Sequence, residues 1–206
     1  RKIELIKSVF LSDYRYYADT SNMFIKSWGW GLAHGLPSFV DRMVLIYLHR
    51  NLHEMTRSYL YRGCVPGEIS EWMSDPFSGN NLLVYPFDAE EEMDTPEARL
   101  IWYGHEIYAR ASWMVERFQN LPVLEIQTNH FKRGISEQLF KFLTLDTPDS
   151  YEHIEQKKYN TQDYRRYEFH PRQYEQAIEI LVPLLRKQDT YSEQSGLTPP
   201  ILEAGG

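Results

Sequence analysis

The residues of this chain best suited to binding chemistry stand together in one stretch, Met43-Val44-Leu45-Ile46-Tyr47-Leu48-His49-Arg50-Asn51-Leu52-His53-Glu54-Met55-Thr56-Arg57-Ser58. An apolar run ends at a cation, and a helical pattern begins at once. If the run is a strand of a parallel sheet, Arg50 stands beyond its carboxyl end, where open α/β sheets bind ligands. A guanidinium offers a rigid fork of donors that matches phosphate oxygens. Ser58, eight residues on and two turns into the helix, can add a hydroxyl to the same anion. Residue types alone make this an anion site at a strand end. An arginine there can equally pair with a carboxylate of the fold.

The elements that must position these groups are legible in the hydrophobic pattern. Three short runs read as strands: Met23-Phe24-Ile25-Lys26, Met43 to Leu48, and Val123-Leu124-Glu125-Ile126 after Pro122. The second is continuously apolar, as in the middle of a parallel sheet. Apolar residues recur at helical spacing from Asn51 to about Arg62, through Leu52, Met55, Tyr59 and Leu60. From Glu97 to Phe118 they form a longer stripe of Leu100, Ile101, Ile107, Tyr108, Ala111, Met114, Val115 and Phe118, started by an N-cap Thr95 and an N1 Pro96. Ser136 to Leu143 is a short helix. Arg172 to Lys187 is the last, and Pro183 is expected to kink or end it. Strands alternating with helices predict an α/β fold, a three-layer arrangement of a mostly parallel sheet flanked by helices. One such domain is expected over residues 1–188, interrupted by an irregular excursion at 63–98 and followed by a flexible tail at 189–206.

Charge and composition narrow the partners. With 206 residues, 42% hydrophobic and 25% charged, the chain has the make-up of a globular domain with a sizeable core. A net charge of −7 argues against nucleic acid or an anionic membrane surface. The charge is uneven: residues 1–62 carry nine Lys/Arg against five Asp/Glu, a net of +4, whereas 63–98 carry nine Asp/Glu and neither Lys nor Arg. A single cysteine, Cys64, leaves no internal disulfide framework, and no Cys/His set suggests a metal. No stretch reaches the 18 or more apolar residues of a membrane span, so a cytoplasmic location is expected. The chain opens on Arg1-Lys2-Ile3-Glu4 with neither an initiator Met nor a signal peptide. It reads as starting in mid-protein, with an N-terminal strand missing, which would explain why only three strands are visible. Among the abundant aromatics, Trp28, Trp30, Tyr85 and Trp102 are candidates to line an acceptor pocket, with core packing the alternative for at least half of them.

The strand–Arg–helix–Ser stretch resembles the 3′-phosphate-binding motif of sulfotransferases that use 3′-phosphoadenylyl sulfate (PAPS). In that motif an apolar strand runs into Arg-[Asn/Asp]-Pro, and a Ser follows eight residues after the Arg. Arg50, Asn51 and Ser58 match; Leu52 stands where the family has Pro. Phe24-Ile25-Lys26-Ser27 looks like the family's preceding strand, and Gly35-Leu36-Pro37 like its turn before the Arg strand. Leu124-Glu125-Ile126, with the helix end Phe140-Lys141-Phe142-Leu143-Thr144-Leu145, is similar to its later strand and helix. The likeness spans about residues 16 to 146.

That resemblance implies a P-loop nucleotide-binding type of fold and PAPS as cofactor. It also implies transfer of a sulfuryl group to a hydroxyl or amine of a small-molecule or carbohydrate acceptor. Arg50 and Ser58 would hold the cofactor's 3′-phosphate. Nothing here matches the family's Gly-rich loop for the 5′-phosphosulfate, which normally precedes the region where this chain begins. The family's C-terminal Gly-rich cofactor motif is also absent, and the basic stretch with Lys157 and Lys158 is the candidate replacement. The Lys-Thr-His segment of many relatives corresponds to Lys26-Ser27-Trp28, without its His. Asp19 therefore ranks first as base, Lys26 can face the sulfuryl oxygens, and His34 and His105 are further candidates. Two other readings remain open, a P-loop kinase-like phosphotransferase and a catalytically inactive cofactor-binding or scaffolding module.

Overall fold

The computed structural model describes residues 44–68, 73–118, 120–127, 135–146, 167–188 and 195–202. The expected strand at Met23–Lys26 and the candidates Asp19, Lys26, His34, Lys157 and Lys158 lie outside the described residues, as do Trp28 and Trp30. The described part has α/β character. Strand β1 (Leu45–His49) leads into helix α1 (Leu52–Arg62), then come α2 (Pro96–Arg117), β2 (Val123–Gln127), α3 (Ile135–Leu143) and α4 (Pro171–Arg186). β1 and β2 pair in parallel, from Leu45 opposite Val123 to His49 opposite Gln127.

Each boundary has a local cause. The Asn51 side chain accepts hydrogen bonds from His53 N at 2.9 Å and Glu54 N at 3.3 Å, which opens α1. Gly63, at φ 67°, closes it in the left-handed conformation, with its N–H on the Leu60 carbonyl. Thr95 caps α2 through Ala98 N, and Pro96 fills the first helical position. Of the two outcomes expected of Pro183, it does not end α4: the helix runs on to Arg186, one residue short of the expected bound. Pro183 and Glu179 are both exposed, so the carbonyl that loses its donor faces water.

The core forms around α2. The sequence predicts one apolar stripe for it, yet burial covers almost its whole circumference and takes in the polar residues Glu97, His105, Glu106, Arg110 and Ser112. α4 packs Tyr174, Ala177, Leu181, Val182 and Leu185 into the same core. α1 comes close at Gly104, where a Cβ would meet Leu52 Cδ1 at 2.6 Å.

The 63–98 segment explains the polar burial. Its described residues up to Pro96 form no helix or strand, yet it delivers Val65, Met73, Leu83, Tyr85 and Phe87 to the core. A loop packed this way must find partners for its backbone. Glu106 accepts from Leu82 N at 3.0 Å and Leu83 N at 2.7 Å, while Arg110, bonded to Glu106, donates to the Asn80 carbonyl at 2.8 Å. Trp102 Nε1 donates to the Leu83 carbonyl at 3.1 Å. Tyr85 and Trp102 are thus core residues, not walls of an acceptor pocket.

Residues 195–202 also depart from the expected loose tail. They lie against the body as a strap: Leu197 and Pro200 are buried, and the Ile201 carbonyl accepts from Leu52 N at 2.8 Å.

Candidate anion-binding cleft

β1 ends at His49, and Arg50 follows at the carboxyl end of the parallel pair. Beside it opens a cleft of about 280 Å³ that both Arg50 and Ser58 border. The wall is one face of α1: Met55, Ser58, Tyr59 and Arg62 recur three and four residues apart and all line it. Tyr103, Gly104 and Ile107 of α2 and Pro200 of the strap belong to the same lining. The lining therefore combines apolar side chains with a hydroxyl and two guanidinium groups. α1 rises about 15 Å from Leu52 to Arg62, so the two arginines mark its opposite ends.

Arg50 is exposed and its ion pair is weak. Its Nε donates to Glu54 Oε2 at 3.0 Å, and the two side chains are 44% and 41% exposed. This i,i+4 pair is the carboxylate pairing that the residue types left open. An exposed pair of this kind contributes only about 0.3–0.5 kcal/mol, little enough for a dianionic phosphate to displace it. The start of α1 offers no open nest of N–H groups, because Asn51 already takes those of His53 and Glu54. The polar groups the cleft does present are side chains, those of Arg50, Ser58 and Arg62 among them.

Behind Arg50, the paired strands meet the strap. His49 is buried and stacks on Tyr47, with ring centroids 5.6 Å apart and planes 12° from parallel. Its Nε2 lies 3.0 Å from Glu125 Oε1 on β2. The same carboxylate oxygen accepts from Thr198 N of the strap at 3.1 Å.

His105, by contrast, is fully enclosed. Burial, followed by the positive charge of Arg186, lowers its pKa to about 3. A histidine that stays neutral and shielded from water does not serve as a base for an acceptor. Sequence reasoning missed Arg62, Glu125 and Pro200. Arg62 was within reach of it, since it lies four residues after Ser58 on one helical face. The other two come together only across the chain. Comparison of the chain with family models, with curated proteins and with solved structures gave no match in any of the three. Among the described residues no helix is long and apolar enough to cross a membrane.

Proposed function

We propose that this chain is part of a sulfotransferase that uses PAPS and sulfates a hydroxyl or amine of a small-molecule or carbohydrate acceptor. The observation that carries the reading is that Arg50 and Ser58 border one cleft at the carboxyl end of a parallel strand pair. The residues present fit a phosphorylated ribose. Arg50 supplies an exposed fork of donors, Ser58 a hydroxyl, and Met55, Tyr59 and Ile107 an apolar surface for the body of the nucleotide.

In this reading the sheet belongs to a three-layer P-loop type of fold, with cytoplasmic placement. When bound, the cofactor supplies an activated sulfuryl group and leaves as adenosine 3′,5′-bisphosphate. Arg50 and Ser58 hold the 3′-phosphate and so fix the position from which transfer occurs. Lys157 and Lys158 add cationic contacts to the cofactor. Asp19 takes the acceptor proton, with His34 the further candidate for that role, and Lys26 faces the sulfuryl oxygens.

The test is a calorimetric titration of the chain with adenosine 3′,5′-bisphosphate, adenosine 5′-monophosphate and ATP with Mg²⁺. Selective binding of the bisphosphate is expected, since only that ligand carries the 3′-phosphate. Preference for ATP with Mg²⁺ would move the reading to a phosphotransferase. Binding of the bisphosphate without sulfuryl transfer would mark an inactive cofactor-binding module.

A further inference from the structure

Leu52 stands at the first position of α1, where the sulfotransferase motif has Pro. A proline is well suited to that position because the N–H it lacks has no partner within the helix. In this chain the N–H exists and is used: Leu52 N donates to the Ile201 carbonyl at 2.8 Å. The Leu52 side chain is used too, buried against Gly104 of α2. The departure from the motif coincides with a segment docked on the turn that carries Arg50.

That segment, residues 195–202, is fastened at several points. Ser195 Oγ meets Ser112 Oγ at 3.0 Å, Tyr108 OH donates to the Leu197 carbonyl at 3.3 Å, and Thr198 N donates to Glu125 Oε1 at 3.1 Å. The first two hold the strap to α2, away from the anion site. The third is different, because Glu125 Oε1 also lies 3.0 Å from Nε2 of His49, the residue before Arg50. Between Glu125 and Leu52 N, the strap places Pro200 in the cleft wall. The turn His49-Arg50-Asn51 is therefore followed by a strap hydrogen bond at Leu52 and approached at His49 by the carboxylate that holds Thr198 N.

We propose that Glu125 is a positioning residue for the anion site, and that it and the strap together set the direction in which Arg50 presents its guanidinium. This rests on the reading of Arg50 as a phosphate ligand. Glu125 itself meets the strap and His49 and does not line the cleft. Because strap docking and anion binding share one turn, each favours the other by linkage.

The experiment uses the full chain, unaltered and with Glu125→Ala, Glu125→Leu and Glu125→Gln. Amide hydrogen exchange is followed at Leu52 and Thr198, and the Kd for adenosine 3′,5′-bisphosphate is measured by calorimetry. Glu125→Ala should speed exchange at both amides and weaken bisphosphate binding on the order of tenfold, the scale on which supporting partners tune a ligand site. Glu125→Leu repeats the test at nearly native volume if the alanine variant does not fold. Glu125→Gln keeps an oxygen for Thr198 N and should restore both readouts. In the unaltered chain, saturating bisphosphate should slow exchange at Leu52 and Thr198. A freed Thr198 amide with an unchanged Kd would overturn the positioning role, as would unchanged exchange at Leu52. Failure of the unaltered chain to bind bisphosphate would count against the sulfotransferase reading instead, and exchange at Leu52 would still decide whether Glu125 governs the turn.

Discussion

Replacing Arg50 by alanine separates a ligand-binding arginine from a structural one, because the two roles differ in size here. The only polar partner of its side chain among the described residues is Glu54, in an i,i+4 pair open to water on both sides. Losing that pair costs about 0.5 kcal/mol or less, and Arg50→Ala should leave the urea midpoint almost unmoved. A charged donor removed from a phosphate costs about 1.5–3 kcal/mol, which corresponds to a rise in Kd of roughly ten- to hundredfold. Calorimetric titration of adenosine 3′,5′-bisphosphate at fixed ionic strength, run beside urea unfolding, reads both quantities. Glu54→Gln provides the opposite sign: it removes the competing carboxylate and should tighten binding about twofold, the worth of the exposed pair. The reasoning is refuted if Arg50→Ala changes Kd by less than about twofold, or if Glu54→Gln weakens binding as much as Arg50→Ala does.

Other expectations concern the frame behind the cleft. Glu106→Ala strands Arg110 and the Leu82 and Leu83 amides in the core, so it should destabilise by about 3–5 kcal/mol in urea unfolding; a loss below about 1 kcal/mol would contradict this account of the 63–98 segment. The buried His105 has a folded pKa of about 3 against 6.5 for the free side chain. The unfolded chain therefore takes up a proton between these values and the folded one does not, and stability falls as pH drops through that window by up to about 1.4 kcal/mol per unit. His105→Gln should flatten that part of the stability–pH profile, and an unchanged slope would show that other groups set it. Gly104→Ala would ordinarily stabilise a helix by about 1 kcal/mol. Here the new Cβ would lie 2.6 Å from Leu52 Cδ1 and 3.2 Å from Met55 Cε, so a net loss of about 1 kcal/mol or more is expected, and a gain in thermal midpoint would show that α1 and α2 separate easily.

Much of the secondary structure was legible because its causes are local. Periodicity, the cap Thr95 and the N1 Pro96 placed α1 and α2 to within a residue or two, and the β1 and β2 runs announced a parallel pair. The cleft was half legible for the same reason: Arg50 at a strand end and Ser58 on the following helix are separated by a fixed number of residues in one continuous element. Three things were not. The acidic 63–98 segment reads as an irregular excursion, and nothing in its own composition reveals that Glu106 and Arg110, on a helix beyond it, satisfy its backbone and let its apolar residues enter the core. His105 reads as a candidate base beside Glu106 on an amphipathic helix, and only packing on several sides makes both buried. The strap reads as a loose polar tail, because the groups that hold it, Ser112, Glu125 and Leu52 N, come from α2, β2 and the head of α1. Sequence by itself determined which residues form elements and which of them carry charge. Tertiary structure decided which of those charges are buried, paired or left facing a ligand, because desolvation and hydrogen bonding depend on neighbours that are distant in the chain.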